Sequence, residues 1–247
     1  WANPEQGDKG HLTAAELHIL RWLENNNYDY DQYSDEDLHF NSDLLKNYKV
    51  LIISTHSEYW SDEMRDNLDD FISSGGNVMY LSGNGLYWRV TTNGHQIEVN
   101  KESSTHQISG GKGGLFKNTG NPEQAVIGVE YSSLGYDTYH PYTVLADSHW
   151  VFQNTNLANG DEIGKCGLNG GGASGHETDK IGKNTPKNAV LLAKGTNPEN
   201  GGADMLYIEN SNGGNVFSAS SISYGGSLSV DSHIHQITKN VLDRFLR

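Results

Sequence analysis

The chain has 247 residues and a mass of 27.2 kDa, 35% of them hydrophobic, which suits one large domain or at most two small ones. A formal charge of −14 with scattered Lys and Arg repels phosphate backbones and anionic lipid, so neither nucleic acid nor a membrane is an expected partner. The apolar runs stop far short of the roughly 20 residues that cross a bilayer, and Cys166, the single cysteine, excludes an internal disulfide, a CxxC zinc site or a redox pair.

The start at Trp1 instead of Met suggests processing or a piece of something longer, and no signal peptide is legible. Thr13 and Glu16 have capping-box spacing. Ala15, Ile19, Trp22 and Leu23 follow on one helical face, so a helix is predicted from Thr13 to about Asn25. An α/β sheet normally opens with a strand, so one is expected upstream of Trp1. Tyr28–Asp37 reads as an extended piece and an acidic loop. Its Asp29, Asp31 and Asp35–Asp37 lack EF-hand spacing and are expected to be solvated, with adventitious calcium as the alternative.

Lys49–Thr55 is a continuous β-branched run, the mark of a strand buried on both faces in a parallel sheet. Ser61 caps the next helix, with Asp62 and Glu63 against its positive end and Met64, Leu68, Phe71 and Ile72 turned inward. Gly75-Gly76 ends it and Asn77–Leu81 is the next strand, completing a right-handed βαβ unit. Residues 91–188 are rich in Gly, Asn, Ser and Thr, with β-like pieces at Gln96–Val99, Ala125–Val129, Tyr142–Ala146 and Trp150–Phe152; they read as an irregular β-rich excursion from a single α/β domain over 1–247. Regular pattern returns at Ala189–Ala193, at Met205–Glu209 and, across the Asn212-Gly213-Gly214 turn, at Asn215–Ala219. A last helix from about Ser232 turns Ile234, Ile237, Val241, Leu242 and Phe245 inward. The expected class is therefore α/β, a mostly parallel sheet flanked by helices.

In such sheets ligands bind beyond the carboxyl ends of the strands. Two loops there carry Tyr-Trp pairs: His56-Ser57-Glu58-Tyr59-Trp60, and Ser82 to Arg89 with Asn84, Tyr87 and Trp88. The bland alternative is that these aromatics only seal the core.

The segments HSEYWSDEM, GGNVMYLSGNGLYWR and GHETDKIG, together with DYDQYSDEDLH, GNVFSASSISYGGSL and ITKNVLDRF, resemble the C-terminal domain of the large subunit of N,N-dimethylformamidase and its relatives. The resemblance implies a class I glutamine-amidotransferase-like fold, a flavodoxin-like three-layer sandwich, and a mononuclear iron amidohydrolase. It implies Fe(III) held by Tyr59 in EYW, Tyr87 in GLYWR and Glu177 in GHETDK. Phenolates and a carboxylate are hard anionic donors that suit such a cation. His56, Glu58, Asn84 and His176 are then candidates to orient ligands or move protons. The implied substrate is a small-molecule amide. The family's large subunit carries a preceding domain and works with a small subunit, so further domains or subunits are expected.

Competing motifs are weaker. The turn Ser82–Gly85 lacks the Cys of a thiol amidotransferase, and Cys166 has no assignable base. There is no G-x-S-x-G elbow, and the 170–175 glycine run lacks the Lys of a P-loop. His233-x-His235 reads as a helix start more than as a metal pair. The remaining rival is a non-catalytic ligand- or carbohydrate-binding module, or part of an extracellular assembly. The Gly, Asn and Ser abundance leans toward a secreted or periplasmic protein, and the low cysteine content suits the cytosol equally.

Overall fold

The structure, a computed structural model, describes residues 12–247. The strand expected upstream of Trp1 lies outside them. Its centre is a sheet of β1 (Val50–Thr55), β2 (Asn77–Ser82), β3 (Tyr142–Val144), β4 (Glu162–Ile163), β5 (Ala189–Gly195), β6 (Asp204–Ile208) and β7 (Val216–Ser218), in the spatial order β1-β2-β7-β6-β5-β3-β4. Three helices flank it: α1 (Thr13–Asn25), α2 (Asp62–Ser73) and α3 (Ser232–Phe245).

Strand alternation explains the layers. Met79, Leu81, Tyr207 and Phe217 pack on one face with Ile19 and Trp22 of α1 and Ile234 and Val241 of α3. Val78, Tyr80, Leu206 and Val216 pack on the other with Met64, Leu68 and Phe71 of α2. Ser61 caps α2 as its sequence predicts, accepting from the Met64 amide.

Three expectations are corrected. The sheet is mixed and not mostly parallel: β1, β2 and β7 run parallel, whereas β7–β6, β6–β5, β5–β3 and β3–β4 are antiparallel. Loops without crossover helices join those later strands, and a parallel connection needs a dozen or more residues, usually a helix. Secondly, β1 is the sheet's edge and not a strand buried on both faces; Val50, Leu51 and Ile52 are half-buried. Thirdly, the Thr13–Glu16 capping box does not form. The N-cap is Leu12, one residue earlier, and Glu16 accepts from Ser54 Oγ at 3.3 Å instead.

The stretch 91–188 lends β3 and β4 to the far side of the sheet. Two of its β-like pieces are helical turns, Gln124–Ile127 and Trp150–Phe152. Two strand pairs that the sequence did not announce matter for the site: Glu130–Ser132 pairs antiparallel with Thr178–Lys180, and Tyr139–His140 with Ser174–Gly175. The acidic loop is short helix in part. Ser34 and Asp37 form a capping box over Asp35–Phe40, and Asp31 accepts from the Tyr48 hydroxyl at 2.6 Å.

Candidate functional site

The carboxyl ends of β1, β2 and β7 open onto loops that converge with Glu177. Five non-glycine residues around this point hold left-handed backbone: Thr55 (φ 60°), Asn84 (50°), Leu86 (54°), His176 (62°) and Ser220 (65°). Asn tolerates this conformation, but a β-branched Thr does not, and such strain costs on the order of 1–3 kcal/mol. The packing that enforces it is tight. Gly83 donates its N–H to Thr55 O at 3.2 Å, and a Cβ there would overlap the Glu177 carbonyl oxygen.

Beneath the loops lies a buried polar network. Asp179 Oδ2 accepts from the Tyr80 hydroxyl at 2.6 Å and Oδ1 from the Asn84 amide at 2.8 Å, while the Tyr80 oxygen accepts from the Gly85 amide at 2.7 Å. Burial pushes the Asp179 carboxyl up to about 8, against these hydrogen bonds. Glu177 and Asp179, two residues apart, both contact Asn84. Glu177 Oε2 accepts from Asn84 Nδ2 at 3.0 Å and lies 3.0 Å from His56 Nε2, which is also 3.6 Å from Glu58 Oε2. Burial raises the Glu177 carboxyl, but the contacts from His56 and Asn84 outweigh it and hold the group below its ordinary range.

Of the residues singled out from sequence, His56, Glu58, Asn84, Tyr87 and Glu177 meet here. Burial raises the Tyr87 phenol, and Glu123, Glu58, Glu177 and Glu130 push it further. His176 stands at the rim, its Nδ1 3.2 Å from the Tyr139 oxygen and 3.4 Å from Asp137. Tyr59 has its own set of contacts. It pairs with Trp88 across two short parallel strands, and Lys101 Nζ lies over both rings, 5.6 Å from the Tyr59 centroid and 4.8 Å from that of Trp88. Glu58 and Tyr87 directly precede these two strands, and the Tyr87 amide donates to the Glu58 carbonyl oxygen at 3.0 Å. No hydrogen bond or ring contact among the described residues ties Tyr59 to Tyr87 or Glu177. Cys166 is exposed, and His235 Nδ1 accepts from Trp22 Nε1 within the first turns of α3.

Sequence reasoning missed three residues. Tyr131 pairs directly with Asp179, and its ring meets that of Tyr87 edge-on at 5.4 Å. Burial, then Glu177 and Tyr87, push its phenol up to about 12. Asp179 itself lies two positions past the glutamate in GHETDK, a period-2 signal available from sequence. Glu123 is fully buried, and neither carboxylate oxygen finds a hydrogen-bond partner among the described residues. Burial raises it to about 7. Nothing in the PEQ sequence around it marked it.

The donors fit a hard cation. Among the described residues no trio of His, Cys, Asp and Glu is arranged to hold a metal; a cation bound here would need phenol oxygens among its donors. Tyr87, Tyr131 and Glu177 supply two phenols and a carboxylate in one cluster, surrounded by further carboxylates.

Comparisons with known proteins agree with the sequence resemblance. Residues 2–239 match a family described as N,N-dimethylformamidase beta subunit-like, C-terminal. The N,N-dimethylformamidase beta subunits of Paracoccus aminophilus and an Alcaligenes species are each 32% identical, over 94% of this chain and 37% of theirs. The chain thus spans little more than a third of the length of these relatives. Among solved structures, the mmIFT52 N-terminal domain aligns over 92% of this chain and 88% of its own, with a TM-score of 0.48 and 12% identity.

Proposed function

This chain belongs to the N,N-dimethylformamidase beta subunit-like C-terminal family, and we propose that its strand-end cluster hydrolyses the C–N bond of a small amide with the help of Fe(III). The observation that carries the proposal is the grouping of His56, Glu58 and Glu177 beside the Tyr87–Tyr131 ring pair, whose phenols burial and Glu177 push up. Tyr87, Tyr131 and Glu177 would hold the iron, with Tyr131 in the place that the resemblance assigned to Tyr59. A bound Fe(III) supplies Lewis acidity toward a carbonyl oxygen and lowers the pKa of coordinated water.

The chain's own groups have distinct tasks. Asn84 Nδ2 fixes the rotamer of Glu177. His56 Nε2, between two carboxylates, relays a proton from one side of the cluster to the other. Asp179 and Tyr80 hold the Asn84–Gly85 turn, with Asn84 in left-handed backbone. His176, Tyr136 and Tyr139 supply an aromatic rim, with Tyr136 and Tyr139 ring centroids 5.9 and 6.4 Å from that of His176. The same membership supports a class I glutamine-amidotransferase-like ancestry for the βαβ core, with the nucleophile turn replaced by Ser82–Gly85. It also supports assembly with further subunits, as the word subunit in the relatives' names suggests.

The test is optical and chemical. Protein loaded with Fe(III) is expected to show a phenolate-to-iron band in the visible, lost in Tyr87→Phe and in Tyr131→Phe and kept in Tyr59→Phe. Amine release from N,N-dimethylformamide should follow the band. Colourless protein after iron loading would refute the iron site. A non-catalytic ligand-binding module is the competing reading; it predicts no amine release even where the band forms.

A further inference from the structure

The molecule has a second concavity apart from the cluster. A cavity of about 340 Å³ runs along β1, between α1 and residues 28–35, and ends at His56 and Ser57. Its volume lies in the ordinary range for ligand sites. Three features describe what would fill it.

First, β1 is the edge of the sheet. Among the described residues its only strand neighbour is β2, so every second N–H and C=O of Val50–Thr55 faces away from that neighbour. Natural sheets blunt such edges with charge, Pro or a bulge; β1 is VLIIST, flat and apolar. Secondly, the wall beside the strand is apolar, built by Ile19, Leu23, Val50, Ile52 and Leu242. Val50 and Ile52 are left half-buried on it. Thirdly, the rim is acidic. Glu16, Asp29, Asp31 and Asp35 line it against a single cation, Lys49, and among the described residues none of these four makes an ion pair.

We infer that this groove is a docking site for an extended segment of a partner polypeptide with alternating apolar and basic side chains, which joins the sheet as a strand beside β1. The open main-chain edge calls for a peptide backbone, because strand addition satisfies the outward N–H and C=O groups in register. Period-2 alternation then sends one set of side chains to the apolar wall and leaves the other at the acidic rim, where basic groups complement it. The groove ends at His56, which lies 3.0 Å from Glu177. The segment therefore reaches the wall of the candidate site, though the inference does not depend on any activity there.

The experiment uses the purified chain and a synthetic probe, an amide-capped heptapeptide alternating Lys and Val, with its Glu/Val counterpart as control. Backbone hydrogen exchange is followed residue by residue. The Lys/Val peptide is expected to slow the outward amides of β1 by about tenfold or more, selectively over the rest of the sheet. Binding should weaken by about fivefold or more in the surface variant Asp29→Asn/Asp35→Asn, and should weaken with salt. Equal protection by the Glu/Val peptide would overturn the inference, as would protection away from β1. Protection by spermine alone would show a polycation site with no strand. Self-association through β1, seen by sedimentation without peptide, would assign the edge to a second copy, and both results also overturn it.

Discussion

Gly83→Ala tests the geometry of the candidate site most directly. A Cβ at position 83 would overlap the Glu177 carbonyl oxygen and come within 2.9 Å of Ile222 N. Both obstructing atoms are backbone, and Ile222 N already donates to that same carbonyl at 3.3 Å. Relief to ordinary contact requires a displacement of about 1 Å, and overpacking of this kind costs about 1–3 kcal/mol. For a chain of this size that lowers the melting temperature by about 2–4 °C per kcal/mol. The same shift would pull Glu177 away from His56 and Asn84, each now 3.0 Å distant, beyond hydrogen-bonding range. Misplacement of about 1 Å costs on the order of 100-fold in rate. Thermal unfolding followed by circular dichroism, the visible band of iron-loaded protein and amine release provide three readouts. Gly111→Ala is the control, because its nearest obstacle is the flexible Arg89 guanidinium at 3.2 Å, and it should behave like the wild type. A Gly83→Ala protein with unchanged melting temperature and unchanged iron band would refute the packing argument.

Tyr80→Phe should leave the Gly85 amide and Asp179 Oδ2 buried without their partner, at about 1–3 kcal/mol for each group, read from denaturant unfolding. Arg65→Ala should cost about 3–5 kcal/mol. That buried guanidinium clamps Asp69 at 3.1 Å and the Asn121 side chain at 2.9 Å, and so anchors the turn that carries Glu123; a loss below about 1 kcal/mol would contradict the role. Glu123, raised by burial from 4.5 to about 7, keeps its proton in the folded chain over a window where the unfolded chain has lost it. Its contribution to stability is therefore present at acid pH and falls as pH climbs from about 4.5 to about 7, by at most about 1.4 kcal/mol per pH unit. Glu123→Gln should flatten the melting-temperature profile across that window, and parallel profiles for variant and wild type would remove the argument.

Local chemistry made much of this protein legible in its sequence. The i, i+4, i+7 spacing of Ile19, Leu23 and their neighbours, the Ser61 cap and the Asn212-Gly213-Gly214 turn act over a few residues, and each produces the element it predicts. The βαβ unit follows from two apolar runs joined by a helix, and it alone places His56, Glu58, Asn84 and Tyr87 at one edge of the sheet. Strand direction was not legible, because an apolar run is equally apolar whether its neighbour runs parallel or antiparallel. Nor was the edge position of β1, since VLIIST looks the same beside one neighbour as beside two.

The composition of the site shows the same division. A tyrosine-rich motif marks both Tyr59 and Tyr87, but not what each ring meets. Tyr59 pairs with Trp88 and lies near Lys101, while Glu123, Glu58 and Glu177 act on the Tyr87 phenol. Tyr131 and Glu123 come from the irregular 91–188 stretch, where no period exists to read. Tyr131 reaches Tyr87 only because Glu130–Ser132 pairs with Thr178–Lys180. The sequence by itself determined which residue types stand at the ends of β1 and β2, because propensity and hydrophobic period are local. Only the tertiary structure decided which phenols and carboxylates face one another, because that depends on pairings between segments tens of residues apart, whose energy resides in contacts that no local window contains.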